Sequence, residues 1–116
     1  MKQITLLYHD VIEGDSHQQS GFPDPAAARY KLDRVAFVEH LHAINTVLQS
    51  PPITIEQLPQ VNQQPTPCTI GFDDGGVSSA TIIAEELDRF DWKGHFFITT
   101  DWIGKPGFVN ENQIRE

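Results

Sequence analysis

Thr69-Ile70-Gly71-Phe72-Asp73-Asp74-Gly75-Gly76 runs an apolar strand directly into two adjacent carboxylates and then into two glycines. Neighbouring acids repel, so a fold that brings them together at a strand end usually keeps a cation, a shared proton or a substrate beside them. Successive strand residues point to opposite faces, and Asp73 and Asp74 can serve one point only if the backbone bends at once. Gly75-Gly76 offers conformations closed to other residues. The pattern divides labour between one carboxylate that holds a metal and one that works as a base or orients a ligand. A solvated acidic turn before a helix would use the same residue types. The buried strand ahead of the pair and the glycines behind it favour a working site over that bland alternative.

Upstream, Ile4-Thr5-Leu6-Leu7-Tyr8 reads as a strand covered on both faces and ends in His9-Asp10. The polar and glycine-containing stretch from Val11 to Ala28 reads as a long irregular loop. Asp33 is placed to cap a helix whose stripe is Phe37, Leu41, Ile44 and Leu48, stopped by Ser50-Pro51-Pro52. Ile53 to Leu58 fits a short strand or extended chain, and the Gln- and Pro-rich run to Pro67 shows no period. Downstream, Ser78 or Ser79 is expected to cap a helix carrying Ala80, Ile83, Ala84 and Leu87, and His95 to Thr100 reads as a third strand before Asp101-Trp102. Asn110 to Gln113 looks like a capping box opening one more helix, and a truncated domain is expected at Glu116. Strands alternating with helices predict an α/β class with parallel pairing and right-handed crossovers. In such sheets ligands bind at the carboxyl ends of strands, where His9-Asp10, Asp73-Asp74 and Thr99-Thr100-Asp101 all fall.

The 116 residues make at most one domain, and a formal charge of −8 argues against nucleic acid or an anionic membrane surface as partner. Cys68, the single cysteine, reads as a small buried hydrophobe. Neither an export signal nor a membrane-spanning helix is visible, so a cytoplasmic location is the expectation. His9, at a strand end, is open to three roles: metal ligand, substrate hydrogen-bonding group or structural donor. His17, His40, His42 and His95 read as surface or packing residues. Trp102 suits either a sugar ring or rim packing.

Ile70-Gly71-Phe72-Asp73-Asp74-Gly75 resembles the first motif of the polysaccharide deacetylases of NodB-homology, carbohydrate-esterase type, usually Thr-Phe-Asp-Asp-Gly. Leu7-Tyr8-His9-Asp10-Val11 is similar to the family's Tyr-His opening strand, Tyr30-Lys31-Leu32 to Leu41 to the helix before the motif, and Gly94 to Thr100 to its Ala-Thr-Phe-Phe-Val strand. The resemblance covers nearly all of residues 1–116. It implies the N-terminal part of a distorted (β/α) barrel, incomplete at its C-terminus, and a metal-dependent hydrolase that removes acetyl groups from N- or O-acetylated carbohydrate. Asp73 would be the general base toward the attacking water and Asp74 a ligand of a divalent cation, commonly zinc. His9, Asp10, Thr100, Asp101 and Trp102 would lie in the substrate or metal vicinity. Two departures stand out: Gly71 replaces the usual Thr or Ser, and Gly76 replaces an often bulky residue. The family's pair of histidines four residues apart has no match, so the remaining ligands are expected beyond Glu116 and residues 1–116 alone are expected to turn over little substrate. A non-catalytic carbohydrate-binding remnant of the same fold is the alternative. A phospho-acceptor receiver domain ranks low, because its acidic pair closes the first strand rather than a later one.

Overall fold

The computed structural model describes residues 2–61 and 64–116. Strands β1 (Ile4–Tyr8), β4 (Cys68–Phe72) and β5 (His95–Phe96) form a parallel sheet in the order β1-β4-β5, and β2 (Asp10–Ile12) pairs in parallel with β3 (Lys31–Asp33) in a second small sheet. The α/β class and the parallel pairing agree with expectation. β4 is buried at all its positions, as its apolar run predicts for a central strand. β1 departs from its reading: Ile4 and Leu7 are exposed at 48% and 55%. The strand forms the edge of the sheet, and among the described residues no helix covers the face on which Leu7, Gly71 and Phe97 lie together, where Leu7 and Phe97 are exposed.

The opposite face holds the core. Tyr8, Phe72 and Phe96 are partners in register across the three strands, and their rings stack with centroids 5.7 Å and 5.0 Å apart. Helix α1 (Arg34–Val47) lays Phe37 and Leu41 against this row, Phe37 meeting Tyr8 edge-on at 5.4 Å. Ile83 and Leu87 arrive from the helical segment behind β4, where a π-helical stretch (Ser79–Ile83) runs into α2 (Ala84–Arg89). Each fully buried aliphatic or aromatic side chain of this kind contributes roughly 1.5–3 kcal/mol. Asp33 caps α1 as predicted, accepting from the Val35 N–H at 3.0 Å. α3 (Glu111–Arg115) carries the capping box of Asn110 and Gln113.

Five local readings are corrected. The span 11–28 is not wholly irregular, because Val11 and Ile12 belong to β2, and residues 31–33 form β3 rather than the start of a helix. Both strands have three residues, too few to show a period. Ile55–Gln60 is a 3-10 turn closed by Thr54 and Gln57, not a strand. Only His95 and Phe96 pair as strand, and Thr100–Trp102 is a 3-10 turn. Neither Ser78 nor Ser79 caps the helix with its side chain; Ser78 turns inward instead, with consequences described below. Part of the connector without expected structure, residues 62–63, lies outside the described residues. Among the described residues no helix is long and apolar enough to cross a membrane.

Candidate active site at the carboxyl end of the central strand

The strand ladder continues one residue past β4, since the Asp73 N–H donates to Tyr8 O at 2.9 Å. The chain then reverses: Asp74 takes φ 79° and Gly75 φ 78°. A left-handed aspartate is uncommon and costs of order 1 kcal/mol, and it persists where neighbours over-determine it. Here Asp74 O accepts from Thr99 N–H at 3.3 Å, Gly75 O from Val109 N–H at 3.0 Å, and Val77 N–H donates to Gly107 O at 2.8 Å. The immediate bend expected from two adjacent carboxylates is therefore present, and both side chains are half-buried at the sheet's carboxyl end.

The charges around Asp74 identify its company. Burial raises its carboxyl above the ordinary range; nearby Asp10 and Asp73 push the same way, while His9 and Lys31 pull it down. His9 is half-buried in the link between β1 and β2, its ring 5.0 Å from that of Tyr30. Asp10 is 2% exposed, so it meets the turn from behind and not from the mouth. Thr100 and Asp101 are exposed on the loop that Thr99 ties to Asp74. Trp102 forms the rim with Phe22 and Phe108, at centroid distances of 5.1 and 5.0 Å, and Lys105 Nζ lies 4.9 Å over its ring. The structure thus sets His9-Asp10 and Asp73-Asp74 at the neighbouring carboxyl ends of β1 and β4, and Thr100, Asp101 and Trp102 on the loop that Thr99 ties to Asp74.

The remaining histidines are structural. His95 Nε2 accepts from Ile55 N–H at 2.9 Å, which leaves Nδ1 to donate to Ile70 O at 3.3 Å. His40 Nδ1 lies 3.2 Å from Tyr8 Oη, and His42 packs on Phe90. Lys31 was not singled out by its sequence. Its Nζ donates to Ser20 O at 2.7 Å and Phe22 O at 2.6 Å, and also to His17 O, so one ammonium gathers the loop below the site. Burial lowers its pKa, with Asp10, Asp24 and Asp74 opposing. The available signal was a lone lysine between apolar neighbours in an acidic chain. Among the described residues no three His, Cys, Asp or Glu side chains come together in a way that would hold a metal ion. Asp74 by itself is not a complete ligand set, because catalytic zinc sites normally supply three.

No protein-family model matches the chain, and no curated protein matches it. Solved structures do. A de-N-acetylase from Aggregatibacter actinomycetemcomitans aligns at TM-score 0.75 and 15% identity, over 97% of this chain and 49% of its own. The fold is that of the polysaccharide deacetylases. A Streptococcus pyogenes deacetylase, PplD, aligns at 0.71 and 14% identity over 99% of this chain and 51% of its own. A polysaccharide deacetylase from Bacillus cereus aligns at 0.71 and 16% over 98% and 34%. The α/β architecture with parallel sheets thus matches the polysaccharide deacetylase fold, as expected, and the chain spans about a third to a half of the solved chains it matches.

Proposed function

We propose that this chain contributes the acidic half of a metal-dependent deacetylase site acting on an acetylated carbohydrate. The observation that carries the reading is the Asp73-Asp74 turn, held at the carboxyl end of a buried parallel strand in a polysaccharide deacetylase fold. Asp73 is the base in this reading: it continues the strand, is half-buried, and takes a proton from the water that attacks the acetyl carbonyl. Asp74 is the ligand, with partner ligands from outside residues 1–116. A divalent cation held there, commonly zinc, would lower the pKa of a water and polarise the carbonyl. His9, at the adjacent strand end and one of the groups that pull the Asp74 carboxyl down, is read as a group that hydrogen-bonds the substrate beside the acidic pair. Thr100, Asp101 and Trp102 would line the approach of the sugar, with Trp102 already backed by Phe22 and Phe108.

The test is acetate release from acetylated chito-oligosaccharide by the full natural protein that carries this segment. Asp73→Asn is expected to lower kcat about 100-fold or more, the usual scale for a general base. Asp74→Ala is expected to weaken zinc binding as measured by calorimetry. Acetate release unchanged by Asp73→Asn would overturn the assignment, and sugar binding without release would mark a carbohydrate-binding remnant.

A further inference from the structure

Behind the acidic turn lies a closed polar ring that the reaction itself does not use. Asp10 Oδ1 accepts from Ser20 Oγ at 2.6 Å and from Ser78 Oγ at 3.0 Å. Ser20 Oγ in turn accepts the Ser78 N–H at 2.8 Å, and Ser78 Oγ accepts the Val11 N–H at 3.2 Å. Each hydroxyl donates once and accepts once, so both serines are satisfied in a site where Asp10, Ser20 and Ser78 are 2%, 2% and 1% exposed. The ring joins β2, the loop at residue 20 and the first residues after Asp73-Asp74-Gly75-Gly76.

Two glycines make room for it. A β-carbon on Gly76 would fall inside the radius of Asp10 Oδ1, 2.5 Å from Ser20 Oγ and 2.8 Å from Asp10 Cγ. One on Gly21 would lie 2.8 Å from Asp10 Cγ. The carboxylate is therefore seated directly against the backbone that follows Asp74. From the other side the same turn is fixed by Thr99, Gly107 and Val109. A buried carboxylate is costly unless hydrogen-bonded, and removing this one would leave the buried Ser20 and Ser78 hydroxyls without their acceptor.

We propose that Asp10 is a positioning residue, which acts through Ser20, Ser78 and the backbone of Gly76 to hold Asp74 in its left-handed turn. The role of Asp74 rests on the deacetylase reading; the mechanical claim about the turn does not. Asn keeps an oxygen that can accept from both serines, whereas Ala removes it. The test is nuclear magnetic resonance of the labelled 116-residue chain and its Asp10→Asn and Asp10→Ala variants, with thermal unfolding alongside. Asp10→Asn is expected to retain the wild-type amide shifts of Asp73, Asp74 and Gly75. Asp10→Ala is expected to move or broaden them and to speed exchange of the Ser78 amide at least tenfold, while the shifts of Phe37 and Leu41 in the core stay in place. Should Asp10→Ala fail to fold, Ser78→Ala and Ser20→Ala remove one arm each and are expected to show the same local pattern in weaker form. Wild-type shifts at Asp73 to Gly75 in Asp10→Ala, or in both serine variants, would overturn the proposal. So would Asp10→Asn disturbing the turn as much as Asp10→Ala. Absence of acetate release in the full protein would sink the deacetylase reading and leave this result untouched.

Discussion

Gly76→Ala is the sharpest probe of the packing behind the site. Gly76 lies outside the left-handed region, so alanine meets no backbone penalty there and the whole effect comes from contact. The added methyl falls on Asp10 Oδ1 and close to Ser20 Oγ, both buried. Asp10 can escape only by giving up the hydrogen bonds from Ser20 and Ser78. Bonds to a charged group are worth about 1.5–3 kcal/mol each, so the substitution is expected to cost about 3–6 kcal/mol. That is a large part of the stability of a small domain. With a urea slope of about 1–3 kcal/mol per molar, the unfolding midpoint followed by circular dichroism should fall by about 2 M. In an Asp10→Ala background that obstacle is gone and only the contact with Ser20 Oγ remains, so the same Gly76→Ala change should cost clearly less, about 1–3 kcal/mol for the Ser78 N–H bond that Ser20 would give up. A cost below about 1 kcal/mol in the wild-type background, or an equal cost in both, would refute the contact as the cause.

Other consequences are open to the same kind of measurement. Because Asp74 holds its proton to higher pH when folded, its favourable contribution is present below the ordinary carboxylate range and is lost as pH rises through the raised value. Asp74→Asn should therefore raise the melting temperature near neutral pH and leave it near wild type in strong acid; a gain independent of pH would contradict this. Arg34 bonds Glu13 at 2.6 Å and Glu86 at 2.7 Å, and the Glu86 side chain is 5% exposed. Arg34→Met should cost about 3 kcal/mol, the lower end for a broken buried pair because Arg89 Nε stays 3.7 Å from Glu86. Adding Glu86→Met should return much of that loss, and no recovery would show that the pair is not the cause. Cys68 is 3% exposed and burial raises its thiol pKa, so a thiol reagent should label it only after urea unfolding. Fast labelling of the folded chain would contradict its burial.

Much of the fold is legible because its main elements carry their own periodicity. β4 is a short apolar run and is buried throughout; α1 shows Phe37 and Leu41 at one-turn spacing behind an Asp33 cap. The rest depends on partners that local sequence does not name. Whether β1 is covered on both faces depends on its place at the edge of the sheet, which is a fact of strand order. β2 and β3 are recognisable as strands only through each other, since Val11 pairs with Leu32 across a loop of polar residues. Ser78 carries the composition of a helix cap and serves a buried carboxylate instead; hydroxyls suit both tasks equally.

The two glycines after Asp74 show where local reading of the site ends. Gly75 is a glycine for the reason the sequence suggests: φ 78° is a left-handed conformation that L side chains rarely adopt. Gly76, beside it in an apparently identical role, needs no such freedom. It is a glycine because Asp10, far away in the chain, occupies the space where its side chain would stand. Asp73 and Asp74 stand out as a candidate site because the two carboxylates are adjacent in the sequence. The group that steadies them does not, because nothing in the sequence links Asp10 to Gly76 until β1 and β4 lie side by side in register. That pairing brings the end of β1, and Asp10 with it, up against the turn that leaves β4. A bulky residue at position 76 and a buried carboxylate at position 10 are therefore mutually exclusive in this fold.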